Sequence, residues 1–184
     1  TLKDSGLGVS DIVKLNYRDV KDAIASERQF HIISIITKKT GTEAKPILGP
    51  EALDAISQWL KSREDKLEAN SPLFIKTQGD EIGSRLTSGS IGAIMRKLCK
   101  KAKFERVSAH SLRKYHMTML QAGGMTPEWI AIIQGRIISD SRSAYTRPTE
   151  SQLIYAYERS YQHLSVLPKS ESDEIQVLKV ENAQ

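Results

Sequence analysis

The chain has 184 residues, the size of one domain and enough to bury a core of its own. Hydrophobic residues make up 39% and charged residues 27%, and no run of about 18 apolar residues occurs, which excludes a membrane-spanning helix and a wholly disordered chain. The single cysteine, Cys99, excludes an internal disulfide framework and a cysteine-built metal site, and it suits a reducing interior. A formal charge of +5 leaves the partner to be decided by where the cations lie.

The opening TLKDSGLGVSD lacks both an initiator methionine and the basic-then-apolar pattern of a secretory signal, so the chain is expected to be a piece of something longer. Ser10 predicts the cap of a helix running through Ile12, Val13 and Leu15 to about Val20. Phe30 to Ile36, FHIISII, followed by TKKTGTEAK and the short apolar PIL, reads as two strands joined by a basic, glycine-containing turn. Gly49-Pro50 opens a helix with proline at its first position and Leu53, Ile56, Trp59 and Leu60 on one side, fading around Glu64. Pro72 and LFIK form an extended piece. DEIGSRLTSGS is a loop whose serines cap a helix from Ile91 to about Lys103. Ser108 begins a helix through Leu112, Tyr115, Met119 and Leu120 that stops at Gly123-Gly124. Thr126, Pro127 and Glu128 open a short apolar helix, Trp129 to Gln134, ending at Gly135. Thr149 starts a last long helix through Leu153, Tyr157 and Tyr161 to about Leu164. Residues 166–184 read as an acidic tail, mobile or docked on a partner.

Arg96, Lys97, Lys100, Lys101, Lys103 and Arg106 are interrupted only by Glu105, a stripe that suits a phosphate backbone or, equally, a solvated helix face. Chemistry points to a second set. His110 and Arg113, spaced i, i+3, share one helix face and can converge on one anion. Arg136 follows Gly135 at a helix end, where a cation also complements the helix dipole. Tyr145 lies among Ser141, Ser143 and Thr146 rather than in an apolar stripe, and Lys39 sits in the basic turn.

In this order and spacing, AHSLRKYHMTMLQAGGMTPEWIAIIQGR followed by AYT resembles the second box of the tyrosine recombinase and phage or viral integrase family, catalytic domain. GLGVSDIVKLNYRDV resembles its first box. The resemblance covers Gly6 to about Leu164. It implies a mainly α fold with a small antiparallel β-sheet (α+β), with residues 1–165 as the catalytic domain of a protein whose DNA clamp is completed by an amino-terminal core-binding domain. By resemblance, Tyr145 matches the nucleophile, Arg113 the second-box arginine and His110 the histidine before it. Arg136 matches the position usually held by His or Trp, and Lys39 the hairpin lysine, with Lys38 as runner-up. Asp11 matches the first-box acid that supports a neighbouring arginine, but that arginine's position is held by Gly8.

These residue types fit phosphoryl transfer. Guanidinium forks match the negative oxygens of a pentacoordinate phosphorus, an imidazole can assist loss of the phenolic proton, and a lysine can protonate the departing 5′ oxygen. The implied activity is site-specific cleavage and rejoining of DNA through a covalent 3′-phosphotyrosyl intermediate, with no metal, cofactor or ATP. The implied partners are double-stranded DNA attachment sites and further copies assembled on them as a tetramer, with no membrane partner, in the cytoplasm at the nucleoid. Gly8 leaves three readings open. Another cation, such as Arg18 or Arg85, enters the site; or the protein is a weakened or inactive homologue acting as a DNA-binding module; or the first-box register differs. A generic helical protein whose basic face binds RNA or acidic partners explains the charge but not the spacing.

Overall fold

The computed structural model describes residues 1–26, 28–105, 107–137 and 148–167. In chain order these form α1 (Leu2–Ser5), α2 (Val9–Ile12), a 3-10 turn (Tyr17–Asp19), α3 (Lys21–Ala25), β1 (His31–Ile32), β2 (Ile35–Ile36), β3 (Glu43–Ala44), β4 (Ile47–Leu48), α4 (Pro50–Lys61), α5 (Ser88–Lys101), α6 (Ala109–Ala122), α7 (Pro127–Gln134) and α8 (Glu150–Leu164). This is the expected mainly helical fold with a small antiparallel sheet.

The amino-terminal region departs most from expectation. The helix predicted from Ser10 to Val20 is one turn, α2, preceded by the unforeseen α1. Beyond Ile12 the carbonyls leave the helical ladder. Arg85 donates to Val13 O at 2.7 Å and to Leu15 O at 3.0 Å, while the Leu73 N–H takes Leu15 O at 2.9 Å. Asn16 and Asp19 then form a reciprocal cap over the 3-10 turn. Distant parts of the chain thus compete successfully for groups a longer helix would have used.

The predicted hairpin is present but split. β1 pairs antiparallel with β4 (His31 with Leu48, Ile32 with Ile47), and β2 with β3 (Ile35 with Ala44, Ile36 with Glu43). The break falls at Lys45-Pro46. The Lys45 N–H turns away to Ile132 O of α7 at 3.1 Å, and Pro46 has no N–H to give. The same bond docks the hairpin on the carboxy-terminal end of α7.

Apart from α5, which begins at Ser88 rather than Ile91, the remaining helices begin where their caps predict. Pro50 is the first residue of α4, Ser108 and Ser111 form a capping box on α6, Thr126 precedes Pro127 on α7, and Thr149 caps α8 with Gln152. α5 is capped by Thr87 rather than a serine, and it ends two residues short of Lys103, whose φ is 56°.

Alternating side chains of β4 divide the core. Leu48 joins Leu7, Ile12, Leu15, Leu53, Ile56 and Leu73 under α1 to α4, while Ile47 joins Leu120, Ile130, Ile133, Leu153 and Tyr157 between α6, α7 and α8. Each such side chain contributes about 1.5–3 kcal/mol when fully buried. Among the described residues, no helix is long and apolar enough to cross a membrane.

Glu51 on α4 fastens the end of α8. It accepts the Ser165 hydroxyl, the Val166 N–H at 2.9 Å and the Leu167 N–H at 3.1 Å, and it pairs with Lys3 at 3.0 Å. Burial pushes its pKa up, but Ser165, Leu167, Lys3 and Val166 outweigh that and hold it down at about 2. A folded pKa below the unfolded value gives stability that is full above about pH 4.5 and is lost as pH falls toward 2. Glu51→Gln is therefore expected to lower stability by about 1–3 kcal/mol near neutral pH. Thermal melts of the two proteins should converge as pH approaches 2; a gap independent of pH contradicts this assignment.

Candidate active site

α2, the hairpin turn, α6 and the end of α7 meet at one open cleft of about 410 Å³. Its four walls are built differently. Gly8, Ser10 and Asp11 come from the start of α2; Thr37, Lys39 and Thr40 from the hairpin turn; His110 and Arg113 from the first turns of α6. The fourth wall is the stretch Gln134 to Ile137.

The end of α7 is a Schellman turn. Gly135 adopts φ 63°, its N–H reaches Ile132 O at 3.1 Å, and the Arg136 N–H reaches Ala131 O at 2.8 Å. A Cβ on Gly135 would stand 2.5 Å from Thr37 Cγ2 and 2.7 Å from Ala44 Cβ, so glycine serves both the left-handed turn and the close seat of the hairpin. Thr40 Oγ1 donates to Gly135 O at 3.1 Å, completing the join. This places Lys39, exposed at the hairpin tip, on the same cleft as Arg136.

Asp11, 4% exposed, ties the opposite wall to the hairpin. Its Oδ1 accepts the Lys38 N–H at 2.7 Å and lies 3.5 Å from Lys14 Nζ, while its Oδ2 accepts the Ser10 hydroxyl at 3.4 Å. The acid expected to support an arginine beside it thus braces the turn that carries Lys39.

Arg113 is half-buried, and its Nη2 donates to Gln134 O at 2.8 Å. Gln134, fully buried, returns its amide nitrogen to Arg113 O at 3.2 Å and to His116 Nδ1 at 2.9 Å. With that nitrogen committed to a carbonyl, His116 Nδ1 accepts and the ring proton sits on Nε2. Burial, then the Arg113 charge, hold the His116 pKa down at about 3, so it is a neutral strut rather than a titrating group near neutral pH. Arg136 is half-buried, with Nη1 3.4 Å from Met117 Sδ.

The electrostatics of the cleft are unbalanced. Burial and the neighbouring Arg136 guanidinium press the Arg113 pKa downward, and Asp11 pulls it back up. Among the described residues, no carboxylate lies within 4 Å of either guanidinium, although ion pairs occur elsewhere in the fold. Two arginines brought together without an acid make a site for an anion, and guanidinium forks suit phosphate oxygens. Among the described residues, no group of three or more His, Cys, Asp and Glu side chains could hold a metal ion.

The structure thus brings Lys39, His110, Arg113, Arg136, Asp11 and Gly8 to one cleft. Tyr145 lies outside the described residues, as does most of the predicted tail. The Lys38 side chain is exposed and does not line the cleft. Arg96, Lys97, Lys100, Lys101 and Lys103 are all exposed on or just beyond α5, which touches the body along Ile91, Met95 and Cys99. Neither substitute cation enters. Arg85 is engaged by Val13 O, Leu15 O and Asn16 Oδ1, and Arg18 bonds to Asn70 Oδ1 at 2.9 Å.

Sequence reasoning missed Gln134 and His116. The available signal was a polar residue on the buried face of an otherwise apolar pattern: Gln134 follows Ile130 and Ile133 at i+4 and i+1, and His116 precedes Leu120 by four. Thr37 carried no signal in the sequence.

A family model described as the phage integrase family matches residues 2–152. The tyrosine recombinase XerC of Pelobacter propionicus is 29% identical over 161 residues, covering 88% of this chain and 50% of that protein. XerC of Pelotomaculum thermopropionicum is 28% identical over 169 residues, covering 88% and 52%. The chain therefore spans about half the length of the curated relatives it matches. Among solved structures, XerA recombinase superposes with a TM-score of 0.59 at 22% identity, covering 92% of this chain and 55% of that one. XerH bound to palindromic difH in a post-cleavage complex gives 0.59 at 20% identity, covering 84% and 42%. At these identities the likeness establishes the fold. The family match runs from α1 into the first turn of α8 and takes in every wall of the cleft, and the chain belongs to the phage integrase family, the tyrosine recombinases.

Proposed function

We propose that the chain carries the active site of a site-specific DNA recombinase that breaks and rejoins strands through a 3′-phosphotyrosyl intermediate. The observation that supports this most is the pair Arg113 and Arg136, opening with Lys39 and His110 onto one cleft and unpaired with any acid among the described residues. In the proposed step the Tyr145 oxygen bonds to phosphorus as the bond from phosphorus to the 5′ oxygen breaks. His110 receives the phenolic proton, Lys39 gives a proton to the 5′ oxygen, and the two guanidinium groups neutralise charge on the nonbridging oxygens. Rejoining reverses these transfers with a second 5′ hydroxyl as nucleophile. Because the tyrosyl ester retains the energy of the broken bond, rejoining needs no nucleotide. The cations of α5 would track the duplex backbone, and synapsis of two sites would assemble four copies.

A second reading is favoured by one observation: Gly8 leaves the α2 wall without a cation, and neither Arg18 nor Arg85 replaces it. On that reading the protein is a weakened homologue that binds DNA and cleaves slowly or not at all. The two are separated by incubating the chain with nicked suicide duplexes randomised across the site and digesting the products for mass spectrometry. The recombinase reading predicts a nucleotide adduct on Tyr145 that Tyr145→Phe abolishes. Salt-sensitive DNA binding with no adduct supports the weakened homologue, and an adduct on another residue contradicts both.

A further inference from the structure

Gln134 and His116 are both fully buried, on helix faces otherwise given to Ile130, Ile133 and Leu120, and the His116 ring lies 6.3 Å from that of Tyr157. Their remaining polar atoms are poorly served. Among the described residues Gln134 Oε1 has no hydrogen-bond partner, and His116 Nε2 has only the Asp4 carbonyl on its side, outside hydrogen-bond geometry. Buried atoms of this kind cost stability that two apolar side chains would not. What the pair does hold is Arg113. The Gln134 amide nitrogen gives one hydrogen to Arg113 O at 3.2 Å and the other to His116 Nδ1 at 2.9 Å, while Gln134 O accepts Arg113 Nη2 at 2.8 Å. The side chain of each residue is thus bonded to the backbone of the other, across the join between α6 and α7. His116 completes the clamp. Its Nδ1 acceptor fixes which end of the amide is nitrogen, and Gly6, where a Cβ would stand 2.7 Å from Nδ1 and Cε1, leaves the ring no room to swing.

On the reading of the cleft as a phosphodiester site, we propose that Gln134 and His116 are positioning residues for that reaction: together they aim the Arg113 guanidinium at the phosphate, and the core is less stable for holding them. Apolar packing has no direction and would leave the end of α7 free to turn against α6. The reciprocal bonds fix one register, and a guanidinium fork recognises an oxyanion only when its plane and edge are set. Neither residue touches the phosphate; both act through Arg113.

The test pairs His116→Phe with Gln134→Met, which keeps the shape of both side chains and removes both polar partners at once, a change that is close to neutral or stabilising for a fold. The double variant is expected to melt no lower than native and to bind DNA within about twofold of native. It should form the covalent adduct on suicide DNA about 10- to 10²-fold more slowly in single turnover, the scale on which a misplacement of about 1 Å acts. His116→Leu takes the place of His116→Phe where the larger ring does not fit. Gln134→Met alone leaves His116 Nδ1 without its donor, and should melt lower than the double variant while cleaving no faster. In an Arg113→Ala background the double substitution should slow the reaction no further, because its effect runs through that guanidinium. A double variant as fast as native, a rate loss that follows melting temperature across the set, or a further loss beside Arg113→Ala overturns the positioning role while the recombinase reading stands. If the native chain forms no adduct, that reading falls, and the pair is decided by phosphorus NMR titration with inorganic phosphate. An affinity roughly tenfold weaker in the double variant, with no such difference in the Arg113→Ala background, supports the positioning role, and equal affinities overturn it.

Discussion

Arg113→Ala is expected to lower the single-turnover rate of DNA adduct formation by about 10²- to 10³-fold, the loss that follows removal of one donor aimed at a transition-state oxyanion. Arg113 is the guanidinium held most firmly in the cleft. Its Nη2 is anchored on Gln134 O at 2.8 Å, and its backbone carbonyl is held in turn by the Gln134 amide. One edge of the guanidinium is thus used for orientation, and among the described residues the rest has no hydrogen-bond partner and can face an anion. The substitution also leaves Gln134 O without that donor, a structural cost of about 1 kcal/mol, which thermal melts measure separately. DNA affinity should fall far less than the rate, because one phosphate contact among several shifts the salt dependence by only about one counterion. Arg113→Lys keeps the charge but not the fork and should fall between native and alanine. Equal losses in rate and affinity would mean that Arg113 merely binds DNA.

Gly8→Arg is expected to raise the adduct rate by about 10²- to 10³-fold, the mirror of the same argument. The backbone there suits any residue, and the Cβ meets nothing closer than 3.5 Å. Asp11 Oδ2 stands beside the new side chain to orient it. Replacing glycine where its angles need no glycine also reduces the freedom of the unfolded chain, so stability should hold or rise by about 0.4–1 kcal/mol. A folded Gly8→Arg protein no faster than native would show that the α2 wall does not face the reacting phosphate. A silent native chain beside an active variant would establish the weakened-homologue reading.

What the sequence made legible follows from the range of the interactions involved. Ser108 with Ser111, Thr126-Pro127, Thr149 with Gln152 and the Gly135 stop are local signals, each satisfying orphan groups within a few residues, and each marks an observed helix end. The failures are long-range. Nothing near Val13 announces that Arg85, seventy-two positions away, will take its carbonyl and end α2. Nothing in KPIL shows that the Lys45 N–H will bond to α7 and divide the hairpin. The cleft divides in the same way. Its cations were found through order and spacing, whereas their supports were not: Asp11 on the Lys38 N–H, and Gln134 joining Arg113 to a neutral His116, exist only after folding brings α2, α6, α7 and the hairpin together.

In the proposed mechanism Arg113, Arg136, Lys39 and His110 enclose the phosphate that Tyr145 attacks. The decisive measurement is the structure of the chain trapped on suicide DNA. The expected result is a phosphorus bonded to the Tyr145 oxygen, with the Arg113 and Arg136 nitrogens within about 2.7–2.9 Å of its nonbridging oxygens and Lys39 turned toward the 5′ side. A duplex that crosses another face, or a Tyr145 ring packed into the interior away from Arg113, would contradict it.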